Sequence, residues 1–442
     1  MIIEQDQEVS RILRQAAAAK GADLESWEMA LRGAVLEAGA NALGALLNEI
    51  GRGRREEKIL CECGGQMQSQ GLKGKQVLTI LGPVSYRRTM FGCAGCKQTR
   101  YPGDEELDIM NTSRSPGLRR MMARAGSRST FKEGRDDLEI YAGVRVSAKD
   151  LERVAERIGA EMECWGAKER QALIDREMPV KVEKTIPIMY VSYDGTGIPM
   201  TKAEVRGRKG KQTDGSALTR EAKLGCVFTQ TGVDEHGFAV RAPDSTSFVG
   251  AIETAEQFGW RIYAEAVRRD LWSAQSVVVL GDGANWIRNL AETHFPGATQ
   301  IVDLYHAREH VSDLCKILFA ASERQIVRHR LRWWTLLDAG KVERIVAQAL
   351  RGLPDQPLLR KKAALEIEYL RRNKERMRYA DFRARGLFVG SGVIEAGCKT
   401  IIAHRLKQSG MEWSLRGANS IVALRCFFKS GRLEDYWESR AA

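Results

Sequence analysis

Two aspartates close strand-like segments of the sequence, and a glycine follows each of them. Asp194 lies at the end of TIPIMYVSYDG and Asp282 at the end of VVVLGDG. A side chain at the carboxyl end of a buried strand emerges into a solvent-facing site, and glycine lets the chain turn away without crowding a bound group. Two such acids on adjacent strands would share Mg²⁺ or Mn²⁺ ions, which activate the attacking oxygen and stabilise the leaving oxygen in phosphodiester chemistry. A single Asp-Gly pair is also typical of a hairpin turn.

A third acid, Glu395, lies in GSGVIEAGCK at the start of a predicted helix, with Gly392 and Gly397 on either side. The alternative interpretation is a first-turn glutamate that is favoured by the helix dipole. The separation of 113 positions from Asp282 to Glu395 is far more than one strand and one turn require. We therefore expect an inserted domain, for which the basic segment 304–385 is the candidate.

The elements around these acids follow the order of an RNase H-like mixed sheet. Three predicted strands (TIPIMYVSYDG, LGCVFTQTG and FAVRA) precede a long amphipathic helix, SFVGAIETAEQFGWRIYAEAVRRDL. A strand, a helix and a strand follow in VVVLGDG, NWIRNLAETHF and ATQIVDLYH. Segment 306–385 is nearly free of strand patterns, and two further helices are predicted after it.

Four cysteines form two close pairs at the ends of a predicted hairpin. They are Cys61 and Cys63, in a Cys-x-Cys spacing, and Cys93 and Cys96, in a Cys-x-x-Cys spacing. Four thiolates satisfy tetrahedral Zn²⁺ and can hold together a module with little core of its own. Redox-active or free thiols are the alternative. The other cysteines, Cys398 among them, are interpreted as buried apolar residues.

Helical patterns flank this module. Segment 8–49 has apolar residues, including Leu13 and Trp27, at helical spacing. After the module, SPGLRRMMARAGS, TFKEGRDDLEIYAG and AKDLERVAERIG predict three helices, with Ser147 as the N-cap of the third. A helix, a short glycine-containing turn and a helix are typical of a helix-turn-helix DNA-binding unit, although any compact helical hairpin gives the same pattern.

Charge is unevenly distributed along this chain, whose net charge is +12. Segment 304–385 has 19 Lys and Arg against 10 Asp and Glu, and 52–148 has 18 against 11, whereas 186–303 has 12 against 14. Basic flanks around a mildly acidic centre suit a polyanionic partner, although solvated helix faces give the same counts. Trp333 and Trp334, in the basic segment, are interpreted as core residues or as a platform for a flipped base.

No apolar run is long enough for a membrane helix, and the segment MIIEQDQEVSRILRQ lacks the features of a secretory signal. We expect a cytoplasmic, nucleoid-associated protein with no membrane partner.

The motifs YDGTGIP, VLGDGANWI, DLYHAREH and GSGVIEAGCKTIIAHRLKQSGMEWS together resemble the DDE transposases of bacterial insertion sequences, specifically the ISKra-type family. The resemblance covers most of the chain and is densest from Tyr193 to Leu424. It implies an RNase H-like catalytic core with an all-α insertion, in which Asp194, Asp282 and Glu395 bind the metal ions. It also implies that His306, in Asp303-x-x-His306, contacts the scissile phosphate. A helix N-cap beside a packed imidazole is the alternative for that pair.

The sequence therefore predicts a multidomain α+β transposase that requires Mg²⁺ (or Mn²⁺) and Zn²⁺. Its partners would be the terminal repeats of its element and target DNA, both double-stranded, on which it would form a homo-oligomer. A structure-selective nuclease and a domesticated DNA-binding protein without catalysis are the alternative functions, and the three acids alone do not exclude an RNA-directed RNase H. The expected domains are a helical segment (1–50), a zinc-ribbon-like module (51–110), a helix-turn-helix region (111–178), an RNase H-like core (179–303 and 386–430) and a basic all-α insertion (304–385).

Overall fold

The computed structural model describes residues 10, 11, 14, 23–55, 59–176, 185–210 and 212–441. Two compact units divide the chain, Met1–Ile158 and Gly159–Ala442. The expected helical position Leu13 and the expected domain boundary near Pro179 lie outside the described residues. None of the helices in the described part of the chain is long and apolar enough to cross a membrane.

The first unit contains a long helix and an antiparallel sheet. Helix α1 spans Leu24–Ile50, and its N-cap Asp23 accepts a hydrogen bond from the Ser26 amide. The sheet has the strand order β1-β2-β3-β4, and the hairpin predicted between the cysteine pairs is its centre. The strands are β1 (Ile59–Leu60), β2 (Gln66–Thr79), β3 (Gly82–Cys93) and β4 (Thr99–Arg100).

The helices after this sheet begin at the polar caps that the sequence contains. Ser115 and Thr130 each accept a hydrogen bond from an amide in the first turn, and Ser147 accepts one from the Asp150 amide at 3.0 Å, as predicted. The last helix is longer than its pattern predicted because buried apolar positions continue to Met162 and beyond the unit boundary. The helices are α2 (Pro102–Glu106), α3 (Pro116–Arg128), α4 (Phe131–Ala142) and α5 (Ala148–Ile174).

A mixed six-stranded sheet forms the centre of the second unit. Its order is β10-β9-β5-β6-β7, and β8 also pairs with β6. The pairs β5–β9 and β9–β10 are parallel, whereas the pairs made by β6 are antiparallel. The strands are β5 (Ile186–Pro199), β6 (Thr219–Val233), β7 (Ala239–Arg241), β8 (Ser247–Ala251), β9 (Ala274–Gly281) and β10 (Thr299–Val302). Between them lie α6 (Lys202–Val205), α7 (Ala255–Arg268) and α8 (Asn285–His294).

Two expectations about these elements were wrong. The predicted long helix from Ser247 begins as a strand, because Ser247–Ala251 pairs with β6, and α7 starts only after the capping box of Thr254. Strand β5 also does not end at Asp194. It continues to Pro199 because β6 pairs with it over that whole length. Only the parallel pairing of β5 with β9 ends before Asp194, at Ser192.

Segment 304–384 folds into helices, and further helices follow it. The first group consists of α9 (Leu304–Leu318), α10 (Glu323–Asp338), α11 (Val342–Arg351), α12 (Pro357–Asn373) and α13 (Tyr379–Ala384). The second group consists of α14 (Gly392–Gly397), a π-helical segment (Cys398–Ala403), α15 (His404–Leu406), α16 (Leu415–Lys429) and α17 (Leu433–Ala441). Trp333 is 1% exposed, so its interpretation as a core residue is the correct one.

The two faces of the second sheet have different roles. Met189, Val191 and Tyr193 point to one face, where they pack in a core with side chains of α7 and α8. Alternation along the strand places Tyr190, Ser192 and Asp194 on the other face. Tyr190 packs there against Phe388, at a ring-centroid distance of 5.3 Å. The second face therefore meets the chain segment that leads to Glu395.

Substitution of Gly159 in α5 should destabilise the second unit. A Cβ atom at Gly159 would lie 2.1 Å from the backbone oxygen of Ser420 in α16, so Gly159→Ala must push these helices apart. We expect a loss of about 1–3 kcal/mol in the free energy of unfolding. Gly166→Ala, in the same helix, is the control because its Cβ would meet only the ring of Phe427, at 3.2 Å. Thermal denaturation measures both, and equal midpoints would contradict the expectation.

Candidate active site and cysteine cluster

Three aspartates lie at one level of the mixed sheet. Ser192 pairs with Leu280 in the last pair of β5 and β9, and Asp194 and Asp282 each follow that pair by two residues. Val302 pairs with Gly281, which brings Asp303 level with Asp282. Residues at one level of parallel strands project to the same face. The order β10-β9-β5 therefore places Asp303, Asp282 and Asp194 side by side where the parallel ladder ends.

Glu395 reaches this edge from α14 and joins a cluster of possible ligands. One ligand atom from each of Asp303, His306 and Glu395 lies within 4.8 Å of the others. Ser391 connects the cluster, because its hydroxyl donates to Glu395 Oε1 at 3.0 Å and its amide donates to Asp303 Oδ2. Asp194 and Asp282 are not members of such a three-residue group among the described residues.

Asp303 has a structural role in this arrangement. It is fully buried, and its Oδ1 accepts a hydrogen bond from the His306 amide at 2.8 Å. It is therefore the N-cap of α9, as the alternative interpretation of Asp303-x-x-His306 predicted. The imidazole of His306 is not fully packed: its side chain is 38% exposed, and its Nδ1 lies 3.3 Å from Glu309 Oε2.

The environment of Asp194 disfavours its negative charge. Burial raises the pKa of Asp194, the Gly195 amide partly opposes this effect, and the charge of Asp282 raises the pKa further. His306 is close enough to lower it slightly. Because cation binding requires the carboxylate, it should weaken as the pH falls through a value above the usual aspartate range. A divalent cation would relieve the repulsion between Asp194 and Asp282.

Hydrogen bonds fix one oxygen of each of the three acids. Asp194 Oδ1 accepts from the Gly195 amide at 2.6 Å, and Asp282 Oδ1 accepts from the Ala284 amide at 2.8 Å. Glu395 Oε1 is held by Ser391. Fixing one oxygen orients the carboxylate, and the second oxygen is a candidate ligand, which in Asp194 is the oxygen that the Cys398 thiol contacts. The acids can therefore supply the oxygen ligands that Mg²⁺ and Mn²⁺ prefer.

Cys398 is a site residue that the sequence analysis missed. Its thiol donates to Asp194 Oδ2 at a distance of 3.7 Å, and burial raises its pKa above the usual cysteine range. It was expected to be an apolar core residue. The available signal was its position three residues after Glu395, since residues at this spacing share one face of a helix. Ser391, four residues before Glu395, had the same signal.

The four cysteines form a cluster in the first unit. Their sulfur atoms lie within 4.8 Å of one another, with 3.4 Å between Cys61 and Cys96 and 3.6 Å between Cys63 and Cys93. Zn–S bonds of about 2.3 Å in a tetrahedron require S–S separations of about 3.8 Å. The two short separations lie close to this value, so the arrangement of the four thiols suits zinc.

Turns at the ends of the hairpin present these thiols. Hydrogen bonds from the Cys61 amide to Gly65 and from the Cys93 amide to Gln98 close the two turns, both at a donor–acceptor distance of 2.8 to 2.9 Å. The pKa of Cys93 is lowered to about 6. The largest cause is a hydrogen bond from the Cys96 amide; burial opposes this effect, and the Gly95 amide adds to it. A lowered pKa favours the thiolate, which is the form of cysteine that binds metal ions.

Purified, reduced protein should contain about one zinc ion per chain, because the four thiols match its tetrahedral geometry. The double substitution Cys93→Ser and Cys96→Ser should abolish this zinc. Cys164→Ser is the matched control, since Cys164 is an exposed cysteine outside the cluster. Elemental analysis measures the metal, and zinc-free wild-type protein would disprove the assignment.

Comparisons with known proteins include a curated relative and a solved structure. The relative is the "UPF0236 protein in vanSb 3'region" of Streptococcus gallolyticus, which is 23% identical over 375 residues, or 83% of this chain and 75% of that protein. The structure is the "Drosophila P element transposase strand transfer complex", with a TM-score of 0.25 and 10% sequence identity. That match covers 77% of this chain and 85% of the other, and at such a TM-score it supports no conclusion.

A family model covers nearly the whole sequence. It is the model of the uncharacterised protein family UPF0236, and it matches residues 17–440. The chain therefore belongs to the UPF0236 family.

Proposed function

We propose that this chain is a DDE transposase that cuts DNA at the ends of an insertion sequence and joins those ends to target DNA. The observation that carries the proposal is the register of the parallel strands, whose last pair, Ser192 with Leu280, lies two residues before Asp194 and two before Asp282. The Asp303, His306 and Glu395 cluster supports it. The ISKra-type resemblance of the motifs supports the same function. We expect the protein to act in the cytoplasm, on the nucleoid.

The topology of the second unit supports an RNase H-like core. Three successive strands, β5, β6 and β7, are antiparallel neighbours, and β9 and β10 extend the other edge in parallel. The helices of segment 304–384 lie in the chain between β10 and Glu395. This is the arrangement expected of such a core with an all-α insertion before its last acid.

Each proposed catalytic residue has a separate role. Asp194, Asp282 and Glu395 would hold the divalent cations, and a hydrogen bond orients the carboxylate of each. Bound cations supply Lewis-acid chemistry, which makes water or a DNA 3′-hydroxyl a stronger nucleophile and stabilises charge on the phosphate. His306, which Glu309 orients, donates a hydrogen bond to an oxygen of the scissile phosphate.

A positively charged side chain, that of Lys407, lies close to these acids. Lys407 is exposed, and its ammonium group donates to the hydroxyl of Thr196. Thr196 lies on β5 two residues after Asp194, and therefore on the same face of the sheet. Lys407 can bind a DNA phosphate next to the cleavage site.

The first unit supplies the proposed DNA recognition. The cysteine cluster holds a zinc-ribbon-like module together, and α4 and α5 form the helix-turn-helix. Arg153 and Arg157 lie one turn apart on α5, and both are exposed. They can contact the phosphates or the base edges of the terminal repeats in the major groove. A homo-oligomer on the DNA would bring both ends of an element together.

Loss of any one acid should remove the chemistry but not the DNA binding. Asp194→Ala, Asp282→Ala and Glu395→Ala should each slow the Mg²⁺- or Mn²⁺-dependent nicking of labelled element-end DNA on the order of a thousandfold. Gel-shift affinity for the same DNA should be unchanged. Asp214→Ala is the control, because Asp214 is an exposed aspartate of the same unit. Nicking by Asp282→Ala at the wild-type rate would refute the active-site assignment.

The basic helices of segment 304–385 should bind DNA phosphates. Arg360, Lys361 and Lys362 are exposed on α12, and substitution of all three by Ala should lower the slope of log affinity against log salt by about 1 unit for each lost contact. Cleavage should fall with it. Lys316→Gln in α9 is the control, because Lys316 is already paired with Asp313 at 2.7 Å.

Packing between protomers is the competing role of these helices. The charge variants would then cleave normally with an unchanged salt slope. Sedimentation would change only after substitution of exposed apolar residues of the same helix, such as Leu358 or Leu365, which are 68% and 65% exposed. Cleavage and sedimentation measured on one set of variants distinguish the two roles.

A further inference from the structure

A tyrosine from segment 304–384 holds the backbone of a proposed metal ligand. The hydroxyl of Tyr369, on α12, donates a hydrogen bond to the carbonyl oxygen of Asp282 at 2.7 Å. Asp282 directly follows β9, so its carbonyl lies beyond the last residue of that strand. The helical segment thus supplies a hydrogen-bond donor to this carbonyl, which lies beyond the end of the strand.

The turn after Asp282 is shaped to accept this contact. Gly283 has a φ angle of +84°, and a Cβ atom at this position would lie 2.8 Å from the Tyr369 hydroxyl. Glycine is therefore required both by the backbone angle and by the approach of the tyrosine. The Asp282 carboxylate is fixed by a second contact, because its Oδ1 accepts a hydrogen bond from the Ala284 amide. Carbonyl and carboxylate of one residue are held by two different elements.

Tyr369 is itself held in place by a neighbouring pair. Its ring stacks on the imidazole of His310, with 3.6 Å between the ring centroids and 22° between the planes. His310 Nδ1 lies 2.6 Å from Glu366 Oε2, which fixes the orientation of the imidazole. Glu366 precedes Tyr369 by three residues on α12, so both lie on the same side of that helix.

The same pair links Tyr369 to another part of the site. His310 follows His306 by four residues on α9, and residues at this spacing share one face of a helix. A continuous set of contacts therefore runs from the helix of His306 through His310 and Tyr369 to Asp282. It joins two elements of the active site through the inserted helices.

We propose that Tyr369 is a positioning residue that fixes Asp282 for cation binding. The inserted helices would then set the geometry of the metal site as well as bind DNA. This inference rests on the proposed function, because it takes Asp282 as a metal ligand. Without the hydrogen bond, the Asp282 turn samples more orientations and a cation must order it on binding. The expected loss is one of ion affinity, and saturating ion restores the rate.

The test is Tyr369→Phe, which keeps the ring that stacks on His310 and removes only the hydroxyl. Titration with Mn²⁺, followed by electron paramagnetic resonance on the full chain, should show affinity about five- to tenfold weaker than that of the wild type. The Mg²⁺ concentration for half-maximal nicking should rise by the same factor, and excess Mg²⁺ should restore the rate. Tyr436→Phe is the control, because Tyr436 is also buried and hydrogen-bonded but contacts Glu161 instead of the metal site.

A second variant covers the case in which Tyr369→Phe does not fold. Glu366→Gln changes a partly exposed side chain, keeps a hydrogen-bonding group beside His310 and should weaken Mn²⁺ binding about two- to threefold. Folded Tyr369→Phe protein with wild-type Mn²⁺ affinity and Mg²⁺ dependence would overturn the inference and leave the proposed function intact. If Tyr369→Phe does not fold, wild-type affinity in Glu366→Gln overturns it. Absence of Mn²⁺ binding in the wild type would overturn both proposals.

Discussion

Repulsion between carboxylates that are held close together is the constraint on which the site depends. Burial and the charge of Asp282 both raise the pKa of Asp194, so folding brings these acids together at a cost in free energy. The backbone structure offsets part of this cost in free energy. The parallel ladder fixes the two strands at one level, and the amides of Gly195 and Ala284 each donate to one carboxylate oxygen. A divalent cation bound here would relieve this repulsion.

Glu395 must be delivered to this edge from a distant part of the chain, and close packing does this. Gly397 lets α14 approach the sheet, since a Cβ there would lie 2.7 Å from the ring of Phe248. The following π-helical segment is stabilised by the buried Arg425, whose Nε donates to the Ile401 carbonyl at 2.6 Å. A π-helical turn changes the direction of side chains along a helix and is often found at functional sites. Here it begins at Cys398, whose thiol contacts Asp194.

The features that could be predicted from the sequence are those that produce a local pattern of residues. Asp282 follows a buried apolar run, and the capping serines and the cysteine hairpin are local signals of the same kind. Strand β8 was missed because its pairing with β6 is a contact across the sheet, which no pattern within Ser247–Ala251 reveals. The same holds for the role of Tyr369, whose partner lies far away in sequence, and for the contact of Cys398 with Asp194, although the spacing of Cys398 from Glu395 places both on one helix face. The structure and role of such residues depend on tertiary contacts, which a single sequence does not reveal.

The place of the inserted helices explains how a long segment can interrupt the site without disturbing it. The chain leaves the sheet at Asp303 and returns beside the same residue, because the Leu304 amide donates to the Val389 carbonyl at 3.0 Å and the Ser391 amide donates to Asp303. The chain thus leaves and re-enters the sheet at adjacent positions. The distance between the acids therefore does not depend on the length of the inserted segment. The tyrosines of the segment add a second constraint. Tyr379 donates to the Val302 carbonyl at 2.9 Å, much as Tyr369 does to that of Asp282, so both strand ends are completed by inserted helices. A tether alone would permit the helices to vary freely, whereas these two hydroxyls require them to keep one position on this edge of the sheet.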